Sequence, residues 1–157
     1  MKKKGKKELI YNNKPNNFNP AFEVVSCFIE YNGEILLLKR QIHKPQPNTY
    51  GVPAGKVEKN ENLIDAIIRE VKEETNIELD INNIEFFKTK YVVYDEYAFT
   101  YHSFHYDLVN KPKVKINEEE HQEYMWITPK ESLNLNLIED EDSCILDYYN
   151  LKLKDKK

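Results

Sequence analysis

Residues 69–77 read REVKEETNI and place Glu70, Glu73 and Glu74 within about one and a half turns of a helix-like segment. Side chains three and four apart on a helix face one another, and like charges at that spacing repel by a few tenths of a kcal/mol per pair. Two readings are open. The flank is a solvated acidic edge, as charge runs commonly are, or its carboxylates gather around a cation that removes the repulsion. Oxygen donors of this kind suit a hard divalent ion such as Mg²⁺. Such an ion would also let a polyanionic phosphate approach an acidic patch that would otherwise repel it.

On a helical wheel over residues 62–75, Ile64, Ile67, Ile68, Val71 and Thr75 form one stripe at core-facing spacing. Asp65, Arg69 and Lys72 fall opposite, toward water. Glu70, Glu73 and Glu74 occupy the flank between, with Leu63 and Ala66 leading into it. Acids at the edge of a core line a cleft more readily than they decorate an open face.

The elements that must position this helix are legible on both sides of it. FEVVSCFIEYNGEILLLKR carries two β-rich runs split by Asn32-Gly33, a type I′ hairpin signal, so residues 22–31 and 34–40 are expected to pair antiparallel. QIHKPQPNTYGVPAGKVEKNE is proline- and glycine-rich and reads as loop, with a short strand around Tyr50–Val52. Residues 84–94 and 97–109 are aromatic and β-branched and suggest a second hairpin, broken at Asp95-Glu96. A strand follows at 123–127, then a helix start with Thr128 as N-cap and Pro129 in the first turn, and a final helix over 139–150.

The chain of 157 residues bounds one domain: a loose Lys- and Asn-rich arm over 1–20, a domain over 21–150 and a lysine-rich tail over 151–157. A net charge of −4 argues against a general nucleic-acid binder, which would be basic overall. The positive N-terminus runs into asparagines, not an apolar stretch, and no window has the length of a membrane span. Cys27 lies in an apolar run and reads as a buried thiol, and neither it nor Cys144 belongs to a metal-ligand pattern. A soluble, cytoplasmic protein is expected.

GKVEKNENLIDAIIREVKEETNI, residues 55–77, resembles the box of the Nudix hydrolase family, G-x5-E-x7-R-E-U-x-E-E-x-G-U with U apolar. Every fixed position matches except Asn76, where the family has glycine. Asparagine is the next best residue for a left-handed helix end. Pro53 before the box, the preceding hairpin and EHQEYMW after the aromatic strands also look like the family's layout, so that the resemblance covers roughly residues 22–130. It implies an α/β fold, an α/β/α sandwich in which helices flank a mixed sheet.

It further implies a Mg²⁺-dependent pyrophosphohydrolase, with Mn²⁺ as a substitute, in which water attacks phosphorus in a nucleoside triphosphate or a nucleoside diphosphate linked to a group X, ADP-ribose being one case. Glu73 and Glu74 are implied as principal metal ligands, Glu70 as a ligand that also helps deprotonate the water, and the Ala54 carbonyl as a further oxygen. Arg69 and Glu61 look like the orienting pair. A glutamate from outside the box often completes such a site, and among Glu118, Glu119, Glu120 and Glu123 the position of Glu120 before His121 fits best. Arg40 and Lys39 end the first hairpin and could contact phosphates, with Arg40 favoured for its planar fork. His121 could serve as a base, but a neutral surface histidine is the commoner outcome. Tyr50 stands where many relatives carry tryptophan, and the proline that typifies the ADP-ribose branch is missing near Tyr91–Val93. Expected partners are a small nucleotide or nucleotide sugar, without DNA or membrane, in a monomer or homodimer. The alternative is a nucleotide-binding sensor module without catalysis, disfavoured because Glu70, Glu73 and Glu74 are all present. An isomerase of isoprenoid diphosphates is set aside because Cys27 sits in no recognisable motif.

Overall fold

The computed structural model describes residues 8–152. Its organising feature is a hairpin that splits. Strands β2 (Phe22–Tyr31) and β3 (Glu34–Arg40) turn at Asn32 and Gly33, both at positive φ (53° and 83°). They pair antiparallel as expected, but only through Glu30↔Ile35 and Tyr31↔Glu34. Beyond that they separate. β2 pairs with β5 (Ala54–Lys56) on one side and runs parallel to β7 (Ala98–Asp107) on the other. β3 pairs with β4 (Tyr50–Gly51) and β8 (His121–Ile127). The loop read from its prolines and glycines therefore carries two short strands, and it fills the gap the hairpin leaves.

Alternation along the central strands sets the layers. Val25, Cys27, Ile29, Leu36 and Leu38 face α1 (Leu63–Thr75) and meet Ala66, Ile67 and Val71. Phe28, Ile35 and Leu37 face the other way, against Cys144 and Ile145 of α3 (Glu141–Tyr148) and Leu133 after α2 (Pro129–Ser132). Strands buried on both faces read as continuous apolar runs. The result is the α/β/α sandwich that the sequence led us to expect.

The second hairpin, β6 (Glu85–Tyr94) with β7, is antiparallel. Its outer edge is taken by β1 (Glu8–Tyr11), whose Ile10 pairs with Val92. This corrects the expectation of a loose arm over 1–20: an exposed strand edge offers unpaired backbone groups, and the ELIY segment satisfies them. Residues 1–7 of the arm and 153–157 of the tail lie outside the described residues. The last helix is shorter than its expected 139–150 span, and a 3-10 turn at Ile81–Asn83 adds an element the sequence did not suggest.

α1 begins where Asn62 accepts a hydrogen bond from the Asp65 N–H and ends at Asn76, whose φ of 67° is the left-handed stop the helix needs. Its buried face is rotated relative to the wheel. Ala66, Ile67, Val71, Glu74 and Thr75 are buried, while Ile64 and Ile68 are only partly covered. Glu74 thus lies inside the structure and not at the edge of its core. Among the described residues no helix is long and apolar enough to cross a membrane.

Candidate active site

Glu74 leaves the last turn of α1 toward the gap between β2 and β3. Its Oε1 accepts from the Ala54 N–H at 3.1 Å, and Ala54 is itself fixed by pairing with Ser26 of β2. Glu74 as a whole is 7% exposed. Burial pushes its pKa well above the usual carboxylate range. Glu70 and Glu120 push it further, against the Ala54 N–H and the Arg40 charge.

One turn earlier, Glu70 lies over Gly55 so closely that a Cβ on Gly55 would overlap its carboxyl group. Its pKa is raised by burial, against the neighbouring Arg69 charge, with Glu73 and Glu120 adding to the rise. Arg69 was expected to face water, yet its guanidinium folds back across the flank. Nε and Nη2 grip Glu61 at 2.8 and 2.9 Å, Nη1 reaches Glu70 at 2.9 Å and Glu73 at 3.4 Å, and Nη2 donates to the Lys56 carbonyl at 3.0 Å. Such charge-assisted forks fix orientation as well as energy. The Arg69 guanidinium holds Glu61 down at about 2. Glu73 is the most exposed of Glu70, Glu73 and Glu74.

From the other side, the β3–β8 pairing carries Arg40 opposite His121, with a bulge between Lys39 and Arg40. Arg40 lines the same cavity as Glu74 and Ala54, and its Nε donates to the Pro45 carbonyl at 2.6 Å. Lys39 does not line that cavity: strand alternation sends it over the Tyr50 ring, 5.8 Å from the centroid. The structure therefore divides the Lys39–Arg40 pair expected to contact phosphates. Glu120 stands half-exposed beside Lys44 at 3.5 Å and close enough to act on both Glu70 and Glu74. Glu123 instead accepts from the Tyr50 hydroxyl at 2.6 Å. His121, read from sequence as a surface residue, is 7% exposed, and burial lowers it to about 4.

A cavity of about 270 Å³ opens from Glu74, Ala54 and Gly55 and runs beneath the sheet toward Tyr101, Phe99 and Glu141. A family model for the NUDIX domain matches residues 21–148. The chain belongs to the NUDIX family. Its members are hydrolases of pyrophosphate bonds. The CTP pyrophosphohydrolase of Escherichia coli K12 is 30% identical over 117 residues, which is 73% of this chain and 82% of that protein. The solution structure of the E. coli ORF135 protein superposes with a TM-score of 0.69 at 26% identity, covering 85% of this chain and 91% of that one. A Caenorhabditis elegans Ap4A hydrolase complex shares the fold, with a TM-score of 0.68 at 21% identity, over 83% of this chain and 96% of that one.

Within this NUDIX domain, the donor set on the α1 flank is suited to a hard divalent cation. All its donors are oxygens, and among the described residues its most buried member, Glu74, has no salt bridge to a cationic side chain, only the Ala54 N–H. Among the described residues, Glu70, Glu73, Glu74 and Glu120 do not form a ligand group within 4.8 Å. The grouping that does is Glu30, His105 and Asp107, which lines no part of the cavity and is already tied by a 2.9 Å His105–Glu30 bond and the Tyr149 hydroxyl. Arg69 contacts both Glu70 and Glu73.

Sequence reading missed the far wall of the NUDIX cavity. Glu141 sits in the run EDED, residues 139–142, which looks like a solvated helix start. Lys90 looks like the polar face of a strand. Both are buried, at 4% and 6% exposure.

Proposed function

We propose that this NUDIX protein hydrolyses the diphosphate linkage of a nucleotide, a nucleoside triphosphate or a nucleoside diphosphate joined to X, and that it requires Mg²⁺ or Mn²⁺. One observation carries the reading: a single cavity joins Glu74, at the inner end of the glutamate flank, to a mainly apolar recess. Polyphosphate and base would lie end to end in it. The CTP activity of the E. coli relative supports the same substrate class.

Glu70, Glu73, Glu74 and Glu120, with the Ala54 carbonyl, would hold the cation. When bound it supplies charge neutralisation and polarisation of the phosphate oxygens. Glu70 has a raised pKa and is pinned between Gly55 and Arg69, so it is placed to take a proton from the attacking water. Arg69, anchored on Glu61, positions Glu70 and Glu73. Arg40 at the cavity wall pairs with phosphate oxygens. The neutral His121 adds no charge there. Cys27 and Cys144 are buried free thiols, which suits a reducing cytoplasmic setting.

The test is a panel of nucleoside triphosphates, dinucleoside polyphosphates and ADP-ribose with Mg²⁺ or Mn²⁺, repeated with Glu73→Gln. Turnover that needs metal and falls by several orders of magnitude in a folded variant supports the reading. Equal turnover in the variant removes the metal assignment. Saturable binding with no turnover on any substrate selects the sensor alternative.

A further inference from the structure

We propose that Glu30, His105 and Asp107 form a second metal site, remote from the glutamate flank and matched to Zn²⁺ in preference to Mg²⁺. The site is independent of the nucleotide reading, since none of its residues lines the cavity at Glu74.

Strand register assembles it. β2 and β7 run parallel with Phe28 opposite His105 and Glu30 opposite Asp107, and Glu85 of β6 stands opposite His105 on its other side. Positions two apart on a strand share a face, so these side chains lie on the sheet face that Phe28 turns toward the α3 layer. Val24, which lines the cavity, comes six residues before Glu30 on β2. The rise of a strand makes that about 20 Å.

The His105 ring is the centre of the cluster. It is 5% exposed and stacks on the Tyr148 ring, with centroids 4.9 Å apart and planes 15° from parallel. Its Nε2 lies 2.9 Å from Glu30 Oε1 and 3.7 Å from Asp107 Oδ1. On the other side of the ring, Nδ1 lies 3.6 Å from Glu85 Oε1, beyond hydrogen-bond distance, and is buried with no partner. The Tyr149 hydroxyl donates to Glu30 Oε1 at 2.7 Å and holds that carboxyl group in place. Among the described residues every ion pair of Glu30, Glu85 and Asp107 is made with His105, and none with a lysine or arginine.

A neutral imidazole has two ring nitrogens and one N–H. Both nitrogens of His105 face carboxylates, so in either tautomer one lone pair points at an anion. A cation bound by Nε2, Glu30 and Asp107 removes the conflict. The ring proton then sits on Nδ1, and Glu85, on an exposed side chain, closes to accept it. Metal-ligating histidines commonly donate their second N–H to a carboxylate in this way.

The spacing suits the ion. Ligand atoms about 2.0–2.1 Å from a tetrahedral Zn²⁺ stand roughly 3.3–3.4 Å from one another, and the 2.9 and 3.7 Å separations fall on either side of that value. Asp107 is exposed, which gives the ion a route in and leaves the fourth position to water. An imidazole donor favours Zn²⁺, whereas Mg²⁺ takes oxygen. Ligand chemistry therefore separates this site from the all-oxygen flank of α1.

Zn²⁺ titrated calorimetrically into the full chain in excess Mg²⁺, with the ¹⁵N shifts of the histidine rings followed by NMR, tests the site. A Zn²⁺ binding event is expected that Asp107→Asn weakens by about a hundredfold or more and that Glu73→Gln leaves unchanged. Zn²⁺ should shift His105 Nε2 and leave His43, His102 and His121 unmoved. Mg²⁺-dependent turnover should be the same in Asp107→Asn. No Zn²⁺ binding, equal affinity in Asp107→Asn, or a His105 ring with N–H on both nitrogens in the presence of Zn²⁺ would each overturn the proposal. The last result would mean that a second proton, and not a metal, sits among the carboxylates. The wild-type His105 shift decides the matter even if the variant does not fold.

Discussion

The Glu70 carboxyl group fills the space that a side chain on Gly55 would occupy. The first glycine of the box is therefore a packing requirement of its acidic helix, since the φ of Gly55 is not in the left-handed region. Gly55→Ala should displace Glu70. We expect a fall in kcat of about a hundredfold, as for small misplacements of a reacting group, with little loss of stability, because the Cβ meets only the far end of a flexible side chain that can move aside. Steady-state kinetics and urea melts measure the two. Full activity in the variant would show that Glu70 need not sit where it does.

Glu74 gives a pH dependence of known sign. Its folded pKa lies well above its unfolded value, so the folded state holds the proton more tightly and stability falls as pH rises through that interval. In metal-free buffer at pH 8, Glu74→Gln should be at least as stable as the wild type. Added Mg²⁺ should reverse the order. Wild type gains about 2.7 kcal/mol at a hundredfold excess over Kd, and the variant gains little. Thermal melts with and without Mg²⁺ provide the comparison.

Arg69→Lys keeps the charge and loses the fork that joins Glu61, Glu70 and Glu73. Activity should drop about a hundredfold with substrate affinity less affected, because positioning is what the fork supplies. Glu61, held at about 2, contributes stability that is present above its ordinary 4.5 and lost as pH falls toward 2. The variant should lose less stability than the wild type across that window, in acid titrations followed by circular dichroism.

His121 is lowered to about 4 from 6.5 by burial. The unfolded chain binds its proton first, so this residue costs stability as pH falls from about 6.5 toward 4. Urea midpoints at pH 7.5 and 5 should differ less in His121→Gln than in the wild type. A wild-type imidazole titrating near 6.5 by NMR would contradict the burial argument.

Asn76 holds the left-handed end of α1 at φ 67°. Glycine has no Cβ penalty there, and Asn76→Gly should raise stability by about 0.5 kcal/mol without changing kcat. A lower melting temperature would mean that the Asn76 side chain contributes contacts beyond its backbone.

What the sequence by itself determined were the local features. Asn32-Gly33 specified a turn because both residues tolerate positive φ, and the 3.6-residue period specified α1, with Asn76 as its left-handed end. The spacing from Gly55 to Ile77 placed the acidic flank, since neighbours on one helix keep a fixed geometry. Only the tertiary structure decided that the hairpin opens after two residue pairs, that residues 54–56 enter as a strand, and that Glu74 sinks into the gap beside them. It also separated Arg40 from Lys39, buried His121 and brought β1 to the sheet edge. Lys90 and Glu141 are 51 positions apart in the chain and share a cavity because sheet register and the α3 layer bring them there. Contacts made across layers have no period in the chain, and a buried charge reads in sequence like a solvated one.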